Sequence, residues 1–393
     1  MRADAHGRVG QRIAAARRVR RMTQAELARG SFVSLSMLRK IEQGHRFPSE
    51  DTLDAIAGAL EIDASRLLTD RAGHDSRVRS ALPALSDVIG TYDIPEDGPV
   101  RPLQQLRTAV QQAVDWRLSA QYTRIIGALP GLLGELARAL DNARGRRREA
   151  LAGLLTDAYR AADAVAYKYG AYDLSARLVE LMRWAGAQAG DPLLDAAVAY
   201  VRTETFFAAR AHGPGLRALE RALDAVPPPA TAMATAARGA LHMRAAVIAA
   251  RVRDADRAGV HLESARELAD RVREGVYQGT AFGPDSVRVH EVSVAVGLGD
   301  ENVERALHRT KSWTPPPAMG AERRSGFYIE LARAQLWAGR PDEAFTSLGT
   351  ARSIAPQHTR EHPWAREDAA TLRRLKRADA ESLTHFVEWI GAV

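Results

Sequence analysis

The spacing of apolar positions in the first 70 residues predicts five short amphipathic helices. Thr23 is expected to begin the second helix, because its hydroxyl can accept the backbone N–H of Glu26 in a capping box. Gly30 interrupts the pattern, and a third helix starts around Ser34 and ends at Gly44. The inward positions of the first four helices are predicted to be Val9, Ile13, Ala16, Leu27, Ala28, Val33, Leu38, Ile41, Leu53, Ile56, Ala57 and Leu60.

The first of these helices is predicted over 8–21. The fourth is predicted over Glu50–Leu60 with Ser49 as its cap, and the fifth begins at Asp63 and ends near Leu68. One further helix fits Asp75–Ile89, and the prolines and acidic residues of 92–102 are typical of an extended linker. We therefore predict three regions: a compact domain over 1–71, a connection over 72–100, and a repeat region over 101–393.

From residue 101 onward, helical segments recur with short polar breaks at a nearly fixed distance. The breaks begin at Gly170, His212, Arg253, Gly299 and Gly339, which gives spacings of 42, 41, 46 and 40 residues. A period of this size predicts stacked pairs of helices, an α-solenoid, and thus an all-α fold for the chain. The predicted pairs are Leu103–Asp141, Leu151–Ala189, Pro192–Val226, Thr231–Arg273, Pro284–Lys311, Arg323–Ile354, and Trp364–Lys376 with Ala380–Ile390.

Basic residues are concentrated at the N-terminal end of the chain. Residues 1–46 contain 11 Lys/Arg and 3 Asp/Glu, a local balance of +8, whereas the whole chain carries +7. Because DNA phosphates attract such a local excess of positive charge, the distribution favours nucleic-acid binding over a merely solvated basic face. The absence of cysteine excludes disulfides, thiolate zinc sites and cysteine nucleophiles. We expect a cytoplasmic protein, since the chain shows neither a signal peptide nor a run long enough to span a bilayer.

A set of anchor residues with a characteristic spacing lies within residues 9–68. The anchors are Thr23-Gln24, Leu27-Ala28, Val33-Ser34, Ile41-Glu42-x-Gly44 and Pro48-Ser49. Together they resemble the Cro/cI-type (Xre) helix-turn-helix domain. The resemblance implies that the third helix enters the major groove of double-stranded DNA, and that a homodimer binds an inverted-repeat operator. The DNA-binding residues that it implies are Gln24, Ser34, Leu35, Ser36, Arg39, Lys40, Gln43 and Arg46.

Two positions depart from the pattern of that family. Its turn usually holds glycine or a small residue where this chain has Phe32, and Gly30 lies two positions earlier. Because a bulky residue with positive φ is strained, we expect a turn of shifted geometry. Leu35 is apolar where many relatives are polar, so we expect it to contact a thymine methyl group.

The helix pairs look like tetratricopeptide-like repeats, and Gly339-Arg-Pro-Asp-Glu-Ala344 resembles the turn of such a repeat. Repeats of this kind follow DNA-binding domains in regulators of high-GC Gram-positive bacteria. The resemblance implies that they mediate dimerisation and sense a peptide or small-molecule signal. A stack of pairs has a concave surface lined by the first helix of each pair. The ligand-binding candidates there are Tyr159, Tyr167, Tyr200, Arg202, His242, Arg244, His290 and Tyr328, and the loop from Phe282 to Asp285 is expected to border the same pocket.

Two alternatives stay open at this point. Taken singly, each Tyr or His candidate also fits a residue that fills a gap between helices. As a whole, the chain also fits a helical-repeat interaction scaffold that a basic N-terminal domain tethers to DNA, with a protein partner on the repeats. The sequence has no Walker phosphate loop, HExxH, GxSxG or dinucleotide fingerprint. We therefore expect a transcriptional regulator without catalytic residues, metal ligands, cofactor or membrane partner.

Overall fold

A computed structural model of the chain describes residues 2–20, 22–60, 67, 75–299, 301–311, 313–375 and 381–392. The chain forms two compact units, Met1–Arg77 and Val78–Val393, called here the first and the second unit. Both consist almost entirely of helices, apart from one short two-stranded hairpin in the second unit, so the predicted all-α fold is confirmed. None of the helices in these described ranges combines the length and the apolar character that a membrane span requires.

The first unit contains short helices whose starts are fixed by local hydrogen bonds. The bounds are α1 Arg2–Val19, α2 Gln24–Gly30, α3 Leu35–Glu42 and α4 Glu50–Ala59. The predicted capping box is confirmed: the Thr23 hydroxyl accepts the Glu26 N–H at 3.2 Å, and the Glu26 carboxylate accepts the Thr23 N–H at 2.7 Å. Ser34 and Ser49 cap α3 and α4 with a single bond each, their hydroxyls accepting the N–H of Met37 and of Thr52. Each cap satisfies an N–H that has no partner within its own helix.

These helices enclose a small apolar core. Every inward position predicted for them is buried or half-buried, and burial of a Leu or Ile side chain stabilises the fold by roughly 1.5–3 kcal/mol. Helix α1 starts earlier than the predicted residue 8. Gly10 lets it approach the end of α3, because a Cβ at this position would lie 2.1 Å from the Ile41 carbonyl oxygen. The predicted fifth helix, from Asp63 to Leu68, lies outside the described residues except for Leu67, which is buried in this core.

The turn between α2 and α3 differs from the expectation of a shifted geometry. Phe32 itself adopts the left-handed conformation, with φ 54°, and Gly30 is instead the last residue of α2. Two backbone hydrogen bonds fix this register: the Phe32 N–H donates to the Arg29 carbonyl at 3.3 Å, and the Val33 N–H to the Ala28 carbonyl at 2.9 Å. These two bonds place residue 32 at the left-handed position whatever its side chain is. The turn therefore keeps its register, and the expected shift is absent.

Replacing Phe32 by glycine is expected to raise the free energy of unfolding of the first unit by about 0.5–1 kcal/mol. Glycine removes the strain of the left-handed backbone conformation, but its greater conformational entropy in the unfolded chain offsets part of the gain. No burial is lost, because the Phe32 ring is 97% exposed. Hydrogen exchange of peptides covering 24–42 in the full chain measures the change. Phe32→Ala also deletes the ring but keeps a Cβ, so an equal gain there would contradict the backbone explanation.

The second unit is a stack of helix pairs, and the predicted pairs are confirmed within the described residues; Lys376 and Ala380, at the bounds of the last predicted pair, lie outside them. Helix α5, Asp75–Gly90, contributes Val78, Leu85 and Ile89 to the main core of this unit. The proposed division at 72–100 stays a prediction. The pairs are α6 Leu103–Leu118 with α7 Tyr122–Asp141, α8 Gly145–Lys168 with α9 Tyr172–Ala189, α10 Pro192–Ala208 with α11 His212–Ala225, and α12 Ala232–Arg251 with α13 Ala255–Ala269.

The stack continues beyond a short insertion that the sequence reasoning missed. Strands β1 Gly275–Tyr277 and β2 Thr280–Phe282 pair antiparallel, and both residues of the connecting Gln278-Gly279 turn have positive φ, as a tight hairpin requires. A short helix, α18, was also missed. The elements after the hairpin are α14 Pro284–Leu298 with α15 Glu301–Thr310, α16 Ala321–Trp337 with α17 Pro341–Ile354, α18 Pro356–Glu361, and α19 Pro363–Leu375 with α20 Glu381–Ile390.

Candidate functional site

Helix α3 has an inward and an outward face. Leu38 and Ile41 are fully buried in the core, which turns the opposite side of the helix to solvent. This side combines cationic and small polar groups, the kind of surface that reads base edges and phosphates. The predicted DNA-contacting residues that are exposed on α3 or just after it are Ser36, Arg39, Lys40, Gln43 and Arg46.

The other three predicted contact residues have structural roles in this unit. The Ser34 hydroxyl accepts the Met37 N–H at 3.2 Å and caps α3. Leu35 is half-buried and packs against the core. The Gln24 amide donates to Oε2 of Glu42 at 2.6 Å, so Gln24 supports α3 from within the domain. Contacts of these three residues with DNA stay predictions.

Glu42 is the centre of a polar network that the sequence reasoning missed. Arg17 of α1 donates from Nε to Oε1 of Glu42 at 2.8 Å and from Nη2 to Oε2 at 3.2 Å. Hydrogen bonding to Glu42 raises the pKa of Arg17. With the bond from Gln24, one carboxylate ties α1, α2 and α3 together. The available signal was an acidic residue in the last turn of α3, where the helix dipole disfavours negative charge unless a cation is near.

The second unit has a half-open cavity of about 620 Å³ on the inner side of the stack. As predicted, the first helices of successive pairs, α8, α10, α12, α14 and α16, supply most of its wall. The hairpin and α18 close part of the remaining circumference. A cavity of this volume with polar and aromatic walls has the size of a small-molecule or short-peptide site.

The predicted ligand-binding residues are divided between this cavity and other places. Tyr159 and Phe282 are fully buried in the hydrophobic core and do not face the cavity. The cavity-lining candidates are Tyr167, Tyr200, Arg244 and His290. The remaining candidates lie elsewhere: Arg202 stacks on Phe206, His242 pairs with His261, Asp285 accepts a hydrogen bond from Trp313, and Tyr328 packs against Phe327.

Most of the charged cavity lining was not predicted from the sequence. The Lys168 ammonium lies 3.1 Å from the Glu322 carboxylate. Burial alone would raise the pKa of Glu322, but Lys168 lowers it below its ordinary value. A usable signal was the presence of charges on one face of an otherwise alanine-rich inner helix. The charged side chains that line the cavity besides Arg244 are Arg117, Arg160, Asp163, Lys168, Glu204, Arg210, Arg251, Glu322, Arg323, Glu330 and Glu361.

Two solved structures are similar to this chain over long stretches. One is PlcR of Bacillus thuringiensis in complex with the peptide PapR7 and DNA, with 14% identity, coverage of 67% of this chain and 95% of that chain, and a TM-score of 0.32. The other is the apo form of the competence regulator ComR from Streptococcus vestibularis, with 11% identity, coverage of 90% and 93%, and a TM-score of 0.30.

The N-terminal segment has closer relatives in sequence. The helix-turn-helix family matches residues 13–67. The immunity repressor protein of Bacillus phage phi105 is 47% identical over 60 residues, which make up 15% of this chain. The match spans 42% of the length of that repressor. Residues 13–67, which include the capped helices α2 and α3 and their shared core, therefore form a helix-turn-helix domain of the Cro/cI (Xre) type.

Proposed function

We propose that the chain is a sequence-specific DNA-binding transcriptional regulator. The observation that carries the proposal is the geometry of α3, whose Arg39 and Lys40 are exposed while Leu38 and Ile41 anchor the helix. The local charge of +8 in residues 1–46 supports attraction to phosphates. The Glu42 network supports rigid presentation of α3, which a base-reading helix needs.

We propose further that the regulator binds an inverted-repeat operator as a homodimer. Helix α3 has only 8 residues, about two turns, so one domain reads few base pairs. Two domains on half-sites about one helical turn apart double the number of base contacts. The second unit would mediate dimerisation and sense a peptide or small-molecule signal in its cavity. A signal that binds one arrangement of the dimer better than another would then shift operator occupancy.

The second candidate function is an interaction scaffold that the basic domain tethers to DNA. Two observations favour it. The Phe32 ring is almost fully exposed at the α2–α3 turn. Leu35, a predicted base-contacting residue, packs partly against the core of the domain. Such a tether would bind DNA through phosphates alone, and its affinity would not depend on sequence.

Sequencing of the genomic fragments that the purified full-length protein retains at about 150 mM salt distinguishes the two functions. A recurrent inverted repeat is expected if the chain is a dimeric regulator. Uniform retention that disappears with modest added salt would contradict sequence-specific regulation, because purely electrostatic binding is independent of sequence and steeply salt-dependent.

Arg39→Ala is expected to weaken operator binding by about 1–3 kcal/mol and random-DNA binding by less. An exposed arginine on a recognition helix can donate two hydrogen bonds to one guanine, and alanine removes both. Fluorescence anisotropy with operator and scrambled duplexes measures both affinities. Lys40→Ala is the matched control, because removing a lysine that binds phosphate should weaken both duplexes alike. Equal weakening on the two duplexes for Arg39→Ala would contradict its assignment to a base.

A further inference from the structure

Three arginines of the cavity wall donate to neutral acceptors of the hairpin. Arg117 donates from Nη2 to the Gly279 carbonyl at 2.6 Å. Arg160 donates to the Gln278 carbonyl and to the hydroxyl of Thr280, both at 2.7 Å. Together with Arg323 these two arginines form the three-arginine cluster, which contacts four consecutive residues of the turn and β2, Gln278 to Ala281. Carbonyl and hydroxyl oxygens satisfy guanidinium N–H groups without cancelling their charge.

Arg323 has the same kind of surroundings. Its guanidinium lies 3.0 Å from Nε2 of His290 and 3.5 Å from the Ala281 carbonyl. Burial, reinforced by Arg323, holds the pKa of His290 well below its ordinary value, so this imidazole is neutral near pH 7. Across the part of the chain that the structure describes, no carboxylate lies at salt-bridge distance from any member of the three-arginine cluster. The cluster therefore keeps its positive charge.

The carboxylates across the cavity compensate this charge only in part. Burial raises the pKa of Asp163, and the neighbouring Glu204 raises it further. Burial also raises the pKa of Glu204 and of Glu330. Protonation of these acids is thereby favoured, whereas burial lowers the pKa of Arg160 only to about 9, so that it stays charged near pH 7. The cavity lining contains seven Lys/Arg and five Asp/Glu, so its charge is positive even when every carboxylate is ionised.

Tyr200 lies where the positive charges of several arginines act together. The guanidinium carbon of Arg244 lies 4.3 Å from the centre of the Tyr200 ring, and its Nη2 lies 3.8 Å from the Glu204 carboxylate. Burial alone would raise the pKa of the Tyr200 phenol, but Arg244, Arg323 and Arg160 together lower it below its ordinary value. Three cations from three different helices thus act on one hydroxyl inside the cavity.

We propose that the cavity binds an effector through a carboxylate or phosphate group, held between Arg160, Arg244 and Arg323 beside the Tyr200 hydroxyl. This inference rests on the proposed signal-sensing function and names the chemistry of the signal. The planar fork of a guanidinium matches both oxyanions, and desolvation strengthens each charged hydrogen bond. The aromatic rings of Tyr167 and Phe207 in the same wall offer contact area to an apolar remainder of the ligand.

Isothermal titration calorimetry on the full-length protein at constant ionic strength tests the inference. The probes are inorganic phosphate, citrate, and acetyl-tetraalanine as the free acid and as the C-terminal amide. We expect saturable binding of at least one acid and none of the amide. Binding of phosphate or citrate indicates a small anionic metabolite, whereas binding of only the peptide acid indicates a peptide carboxylate.

Three variants connect the binding to the proposed residues. Arg323→Gln is expected to weaken the bound acid at least about tenfold, and Tyr200→Phe should weaken it less, because it removes one neutral donor. Arg202→Gln is the matched control, since Arg202 lies on α10 like Tyr200 but outside the cavity lining. Urea unfolding followed by tryptophan fluorescence shows whether each variant is folded. Arg323→Gln should be no less stable than the parent, because it relieves repulsion among cations.

Three results would overturn the inference. The first is that none of the acids binds saturably. The second is that the peptide acid and the peptide amide bind equally well. The third is that a folded Arg323→Gln variant binds the acid with unchanged affinity. The titration contains no DNA, so its result tests the anionic effector independently of the proposed DNA-binding function. A chain that binds anions but selects no operator contradicts only the proposed function. A chain that selects an operator but binds no acid contradicts only the anionic effector.

Discussion

Replacing Glu42 by alanine is expected to lower the free energy of unfolding of the first unit by about 3–5 kcal/mol. The carboxylate accepts two hydrogen bonds from Arg17 and one from Gln24, and only 12% of the Arg17 side chain and 6% of the Glu42 side chain are exposed. Without it, a guanidinium group stays enclosed between helices with no anion beside it. Since α3 is one of the helices that Glu42 connects, operator binding should fall together with stability.

Hydrogen exchange measured by mass spectrometry on the full chain can detect this destabilisation. Tryptophan fluorescence cannot, because all six tryptophans lie beyond residue 115, the first of them being Trp116. Asp54→Ala is the matched control: it also deletes a carboxylate, but an exposed one on α4, and should change stability by less than about 0.5 kcal/mol. If peptides 24–42 exchange no faster in Glu42→Ala than in Asp54→Ala, the network does not hold these helices together.

A double variant separates the buried charge from the packing around it. Arg17→Met combined with Glu42→Leu replaces the ion pair by apolar side chains of similar length. Such replacements are often close to neutral, because the desolvation of both charges is avoided. Most of the stability lost in Glu42→Ala should therefore return. A double variant as unstable as Glu42→Ala would show that shape, and not the enclosed charge, causes the destabilisation.

The helix starts were predictable because their chemistry is local. Thr23, Ser34 and Ser49 each accept a backbone N–H three residues further along the chain. The periodicity of apolar residues identified the core of the first unit for a related reason. A short surface helix has one buried face, and the spacing of its apolar residues shows which face that is. The helix pairs followed from a repeat length that is also readable without tertiary contacts.

The cavity was less predictable because an inner helix of the stack is covered on several sides. Tyr159 and Tyr167 lie eight residues apart on α8, yet the first is in the core and the second lines the cavity. Periodicity does not separate two inward faces that both contain alanine. The three-arginine cluster also depends on distant contacts, since Arg160 and Thr280 are 120 residues apart in the chain. The turn at Phe32 shows the same limit on a smaller scale.

Gly239→Ala is expected to displace the hairpin and to lower the free energy of unfolding of the second unit by about 3 kcal/mol. Gly239 lies on α12 against Phe282 of β2, and a Cβ added there would be 1.9 Å from Cζ of the Phe282 ring. The ring is fully buried, so it cannot turn aside without moving β2. That movement would carry the carbonyl of Gly279 away from Arg117. Urea unfolding followed by tryptophan fluorescence measures the decrease in stability.

Two comparisons isolate the clash as its cause. Gly153 also lies within a helix, α8, but no described atom would come within 4 Å of a Cβ there. Gly153→Ala should therefore raise stability, by up to about 1 kcal/mol, through helix propensity alone. In a Phe282→Ala background the ring is gone, so adding Gly239→Ala should bring no further decrease. A decrease in stability that persists in this background would mean that α12 excludes a side chain at position 239 for a reason unrelated to the Phe282 ring. The hairpin would then keep its hydrogen bonds to Arg117 and Arg160.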